Sequence, residues 1–429
     1  MKIVSKMALA IALGGMAVAA PTYAAKKEDK PAAAAAKATP AVQKAAYDAQ
    51  KAADAGDFPT ALTNYATAKA AIVSDDDKMM VGQVGYHIYQ KNKDRKLYME
   101  AITLMIDSGK AKGDVLPQLY EIQGQLLAVE NKDNAGAAAA FQKAYDAGAS
   151  ADEIVPLLVE SYALAGETSK SLAALNAAIA KQTAAGKPIP TEWYQKGVQI
   201  GYRPKASPAE MPAINAQLID LAQKWVAADP QAHNWNTALR VYEEKSTIDN
   251  DTRLDVMRLL KAAGALEGAY DYREYAEEAY LRFPNEAMQV LQEGASKNLL
   301  NLTAKGDASD IMGIVKGKVA ADKASLVAAD KSARAAANGK AALSTADAFV
   351  GYGDYAKAID LYKVALAKGG VDAGLTNLHL GWAQALSGDT AGAKTTFAAI
   401  TGPRKTLADF WIIHLDHPTT PNAPKPAAG

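Results

Sequence analysis

Gly353-Asp354-Tyr355-Ala356-Lys357-Ala358-Ile359-Asp360-Leu361-Tyr362-Lys363-Val364-Ala365-Leu366 is the stretch on which the reading of this chain turns. Tyr355, Ala358, Ile359, Tyr362, Ala365 and Leu366 fall at helical spacing, so they share one face of an α-helix. The alanines on that face let a second helix come close, and the tyrosines fill the space beside them. Gly353-Asp354 marks the turn that starts the helix.

The same pattern recurs along the chain. From Gly353, the small or aromatic residues Ala358, Tyr362 and Ala365 lie 5, 9 and 12 positions on. Gly56-Asp57 repeats these offsets with Ala61, Tyr65 and Ala68, and Gly388-Asp389 with Ala393, Phe397 and Ile400. Lys132-Asp133 is followed by Ala137, Phe141 and Ala144, and Gly166-Glu167 by Ser171, Leu175 and Ala178. Lys132 and Gly166 are 34 residues apart, Gly353 and Gly388 35. Seven residues before three of the turns stand the small residues Ala49, Ala346 and Gly381. A period of this size marks stacked supersecondary units. Alanine is abundant, β-alternation is nearly absent, and the chain reads as all-α.

These residues and this period resemble the tetratricopeptide repeat family. Its unit is an antiparallel helix hairpin with a small residue late in the first helix and Ala-aromatic-Ala in the second. The resemblance implies a right-handed α-solenoid. It is good over residues 41–73, fair over 117–181 and good over 341–402. A degenerate unit spans Tyr86–Ile106, with Lys93-Asp94 at its turn. Over 190–302 the offsets are lost while hairpins persist, pairing Glu192–Gly201 with Pro208–Asp229, Asn234–Lys245 with Asp251–Gly264, and Tyr270–Phe283 with Asn285–Lys297. Residues 303–337 carry a thin apolar stripe and read as one long connecting helix, so a division is expected near residue 303. Residues 338–417 form the C-terminal repeats, and 41–302 the preceding array.

The ends read differently. Met1–Lys6 carries Lys2 and Lys6, Met7–Ala20 is apolar, and Thr22-Tyr23-Ala24 suits cleavage after Ala24, so residues 1–24 are expected to be a secretory signal. The apolar stretch is short of the roughly 20 residues a membrane span needs. No other stretch approaches that length. The short, alanine-rich leader points to an exported bacterial protein retained in the periplasm, with secretion as the alternative. Residues 25–40 form a low-complexity linker, and 418–429 a proline-rich tail; both are expected to be disordered.

Composition narrows the function. The chain has no cysteine, which excludes disulfides and thiolate metal sites. Its 47 basic and 47 acidic residues cancel, so it lacks the basic footprint of a nucleic-acid binder. Loss of Lys2 and Lys6 with the leader leaves a charge of about −2.

Catalytic and cofactor motifs are missing: there is no phosphate-binding glycine loop and no nucleophile elbow. Gly264 and Gly268 follow a helix, not a strand. Asp75-Asp76-Asp77 and Asp249-Asn250-Asp251 sit where carboxylates cap helices. Of the five histidines only His414 and His417 cluster, too few for a metal site without further ligands. No cofactor or metal is therefore expected, and no catalytic residue.

In tetratricopeptide proteins the first helices line a concave face that holds peptides or partner domains. The matching positions here are Gln43, Gln50, Glu153, Glu160, Lys340, Asp347 and Trp382. The Lys/Asn pattern that grips a C-terminal carboxylate in one subtype is absent. The expected function is a non-enzymatic scaffold binding a protein or peptide in the cell envelope. Two alternatives compete with it: a peptidoglycan or polysaccharide binder using Trp225, Trp235, Tyr270, Tyr272, Tyr275 and Tyr280, and a metal-dependent envelope hydrolase. No motif encodes the partner's identity or the number of copies in an assembly.

Overall fold

The computed structural model describes residues 38–202 and 204–419. The expected signal (1–24), most of the linker and residues 420–429 of the tail lie outside the described residues. The linker ends earlier than its composition suggests. Ala38 is buried, the Thr39 backbone and hydroxyl both donate to Asp77 Oδ1 (2.7 and 3.1 Å), and Pro40 opens the first helix. Proline suits that position because the first turn needs no amide donor there.

Among the described residues the chain is helical with no strand, and it divides into two compact units. The first comprises 38–187 with 204–206. It contains α1 (Pro40–Asp54), α2 (Phe58–Ala70), α3 (Asp75–Asn92), α4 (Arg95–Asp107), α5 (Val115–Val129), α6 (Asn134–Asp146), α7 (Ala151–Leu164) and α8 (Thr168–Ala184). Consecutive helices pack as the hairpins α1–α2, α3–α4, α5–α6 and α7–α8.

The turns explain why the hairpins form. Gly56, Gly166, Gly353 and Gly388 have φ of 79°, 81°, 78° and 88°, the left-handed region that ends a helix and suits glycine. After Gly56, Gly353 and Gly388, and after Lys132, an aspartate then caps the next helix, whereas Glu167 after Gly166 makes no side-chain cap. Asp57 accepts from Thr60 N, Asp133 from Gly136 N, Asp354 from Lys357 N and Asp389 from Gly392 N. Lys93 and Lys132 take the same left-handed conformation with a side chain present.

Ala61, Ala68, Ala137, Ala144, Ala358, Ala365 and Ala393 are buried, with the rings of Tyr65, Phe141, Tyr362 and Phe397 beside them. Gly381 shows why the first helix needs a small residue. A Cβ there would lie 2.6 Å from the Phe397 ring. Gly124 stands in the same relation to Phe141. It precedes Lys132 by eight residues rather than seven, because the turn closes from Asp133 N to Leu127 O, one residue longer than from Asp354 N to Phe349 O.

The second unit comprises 188–202 and 207–419. It begins with α9 (Thr191–Tyr202), α10 (Met211–Ala228), α11 (Ala232–Lys245), α12 (Asn250–Ala262), α13 (Gly268–Ala279) and α14 (Pro284–Ser296). It continues with α15 (Asp307–Ala335), α16 (Lys340–Gly351), α17 (Tyr355–Lys368), α18 (Ala373–Leu386), α19 (Thr390–Ala398) and α20 (Lys405–Asp416).

The long α15 is present, but it does not divide the chain. It packs against both α14 and α16 inside the second unit, and the border between units falls near residue 188 instead of 303. The second unit also departs from a simple stack. Residues 254–260 of α12 are all buried, as in a helix surrounded by others. The C-terminal helices return to it: Gln223 of α10 donates to the Thr406 carbonyl of α20, and Phe410 of α20 lies 6.1 Å from Trp235 and 5.9 Å from Tyr242 of α11.

Gly381→Ala is expected to cost about 1–3 kcal/mol by overpacking against Phe397. Lys132→Gly is expected to stabilise by about 0.5–1 kcal/mol by relieving the left-handed lysine. Urea unfolding of the two variants checks both; equal stability of Gly381→Ala and wild type would contradict the packing account.

Candidate functional site

The first helices of the hairpins carry equivalent faces, spaced i, i+4, i+7 and i+11. In the first unit they read Gln43, Tyr47, Gln50 and Asp54 on α1, and Gln118, Ile122, Gln125 and Val129 on α5. On α7 they read Glu153, Leu157, Glu160 and Leu164. This face reaches solvent. Gln50, Glu153 and Leu164 are exposed, and Gln43, Gln118, Gln125 and Glu160 half-buried. The Gln43 amide donates to the Ala38 carbonyl, which holds that side chain against the start of the fold.

In the second unit the corresponding face is covered. Lys340 is exposed, but Asp347 and Trp382, expected at a solvent-facing groove, are buried at 6% and 7% exposure. The reason is α12, which lies against α18 and brings a guanidinium to this face. Arg258 is 2% exposed. Its Nε and Nη2 donate to the two oxygens of Glu286 (2.9 and 3.0 Å), and Nη1 donates to Asp255 Oδ1 at 2.9 Å. The guanidinium lies 4.2 Å from the Trp382 ring centre and 5.0 Å from that of Phe283, within cation–π range.

His379 joins this group to the C-terminal hairpins. Its Nδ1 is 2.6 Å from Asp347 Oδ1, and its Nε2 3.1 Å from Asp255 Oδ1. Tyr362 donates to Asp347 (2.6 Å) and Tyr275 to Glu286 (2.7 Å). Three carboxylates thus face two cations and two phenols, all at most 6% exposed.

The electrostatics follow from burial and pairing. Burial pushes the His379 imidazole down, but the Asp255 and then the Asp347 charge outweigh it and raise the group to about 10. Burial pushes Asp255 up, yet His379 and Arg258 hold it below the ordinary carboxylate value. Burial, with the Asp347 charge after it, raises the Tyr362 phenol; burial and Glu286 do the same for Tyr275. His379 is therefore an imidazolium with both nitrogens donating. Every member of the group already has a partner, so the arrangement holds helices together and offers no free base or nucleophile.

The other sequence candidates also resolve into packing. The His414 ring lies edge-on between Trp235 and Trp411, at 5.6 and 6.0 Å, and burial lowers it to about 4. It is neutral at pH 7, and His417 stands apart as an exposed cap residue. Among the described residues no group of three His, Asp or Glu side chains is placed to hold a metal. Trp225, Trp235, Tyr272 and Tyr275 are buried, and Tyr270 is exposed. The rings therefore do not form the solvent-facing row that stacking on sugars requires. Among the described residues no helix is long and apolar enough to cross a membrane.

Sequence reading passed over Arg258, Asp255 and Glu286. The signal was present in Leu254-Asp255-Val256-Met257-Arg258-Leu259-Leu260, where two opposite charges i, i+3 interrupt an apolar helix. Such charges survive burial only when paired.

No protein-family model matches the sequence, and no curated protein matches it. Among solved structures the chain is similar to the TPR2AB-domain:pHSP90 complex of yeast Sti1, with 13% identity, 69% of this chain and 93% of that chain covered, and a TM-score of 0.24. It is similar to Naa15/Naa10 bound to HypK-THB, with 13% identity, coverage of 86% and 70%, and a TM-score of 0.24. It is also similar to the APC/C hetero-tetramer Cut9-Hcn1, with 11% identity, coverage of 88% and 84%, and a TM-score of 0.19.

Two outcomes are expected at the charge group. Arg258→Met leaves buried carboxylates without their cation and costs about 3–5 kcal/mol, measurable by urea unfolding. The stabilisation from His379 is complete below its unfolded value of about 6.5 and is lost as pH rises through about 10. Thermal melting of wild type should decline over that alkaline range more steeply than that of His379→Gln; parallel curves would contradict an imidazolium at this position.

Proposed function

We propose that this protein is a non-enzymatic scaffold for protein–protein contacts in the bacterial cell envelope, exported by residues 1–24 and working in the periplasm. The open inner face of the first unit is the observation that carries this reading. Equivalent positions on α1, α5 and α7 present amides, carboxylates and apolar side chains to solvent, whereas their counterparts Asp347 and Trp382 are spent on internal packing.

The two units therefore have different tasks. The first provides a surface along which a partner segment can lie, each hairpin adding a short stretch of contact. The second is a rigid body held by buried charge. The basic start and apolar stretch of Met1–Ala20 support export.

Site-specific photo-crosslinking in the native envelope tests the reading. A crosslinker at Gln50 or Glu160 is expected to give discrete adducts with another protein, and one at Thr63, exposed on α2, is not. Adducts from Thr63 alone, or from no position, would overturn the assignment of the face.

A further inference from the structure

The long helix α15 is packed on one side only. Ile311, Met312, Val315, Leu326 and Ala333 are buried, and on that side Tyr352 donates to the Val319 carbonyl and to Asp322. The opposite side is exposed along its length. Ile314 and Val327 stand there at 44% and 77% exposure. Gly313 and Gly317 stand there too, and a Cβ at either would lie in open space. Glycine inside an exposed helix is unfavourable, and no close approach within this chain accounts for it. Asp310 and Lys331 close the two ends of the same side, each exposed and with no side-chain partner among the described residues.

These residues are symmetrically ordered. At about 100° per residue, Gly313, Gly317, Ala324 and Ala328 lie within about 30° of one line along the helix, with Ile314 and Val327 about 70° to either side. A reversed copy of the helix, centred between Ala320 and Ala321, brings Gly313 level with Ala328, Gly317 with Ala324, Ile314 with Val327 and Asp310 with Lys331. Small thus meets small, apolar meets apolar, and acid meets base. Lys318 and Lys323 are the one like-charged pair that comes level; both are exposed about 110° off the line, where their ammonium groups reach into solvent.

We propose that α15 docks antiparallel on α15 of a second copy of this chain, about a two-fold axis between Ala320 and Ala321. The self-complementary order of charge and side-chain size selects a second copy as the occupant, because a two-fold contact requires each residue to find its counterpart on the same surface. The glycines and alanines let the helix axes approach to about 8 Å, Ile314 and Val327 cover the seam from either side, and Asp310 pairs with Lys331 at both ends. The contact is independent of the scaffold reading.

The chain has no cysteine, so single cysteines report the contact in the whole protein. Under mild oxidation Ala321→Cys should give a disulfide-linked dimer, since its two copies meet beside the axis. Gly313→Cys should not link to itself, its two copies standing about 22 Å apart along the helices, but should link when mixed with Ala328→Cys. Sedimentation velocity should show wild type passing from monomer to dimer as concentration rises. Gly317→Gln should weaken the dimer by about tenfold or more while leaving the urea midpoint equal or higher, since it improves the helix. Asp310→Lys and Lys331→Asp should each weaken the dimer, and a mixture of the two should associate again, because each charge then meets its opposite. A wild type that stays monomeric, a dimer indifferent to Gly317→Gln, linkage of Gly313→Cys to itself, or no recovery in the mixture would each overturn the proposal. So would an Ala321→Cys adduct in the native envelope with a different protein in place of a second copy.

Discussion

The guanidinium of Arg258 is the constraint on which the second unit depends. A cation so deeply buried is tolerated only with several acceptors in place, and it obtains them from its own helix and from α14. His379 extends the same set of carboxylates to α16 and α18. The group joins residues more than a hundred positions apart in sequence, which neighbour-to-neighbour stacking never does. This is why Asp347 and Trp382 of the C-terminal hairpins, whose sequence fits the repeat well, are enclosed.

Local chemistry made much of the fold legible. Glycine in the left-handed region, aspartate after it and alanine against a ring are choices read from a few neighbouring residues, and each has a geometric counterpart in the hairpins. Gly124 was missed because one extra residue in its turn shifts the register. The division near 303 was misplaced for a related reason. α15 exposes most of its length and looks like a connector, but Ile311, Met312 and Val315 anchor it to its neighbours.

The site was less legible, because burial between distant elements leaves little local trace. Asp347 and Trp382 occupy repeat positions of the C-terminal hairpins, and what encloses them includes side chains from much earlier in the chain, such as Arg258 of α12 over the Trp382 ring. Tyr272 and Tyr275 looked like a candidate stacking surface for the same reason. Gln50 and Glu153 are different: among the described residues both are exposed, so the repeat position alone tells where they stand.

The long sequence separation within the charge group also sets the order in which its members become available during synthesis. Arg258 is synthesised 121 residues before His379. At about 5–20 residues per second, that is roughly 6–24 s during which α12 exists without its last partners. Through that interval Asp255 lacks His379, and Arg258 lacks the Trp382 ring that lies over it in the folded unit. The first unit, whose hairpins close on their immediate neighbours, passes through no comparable wait.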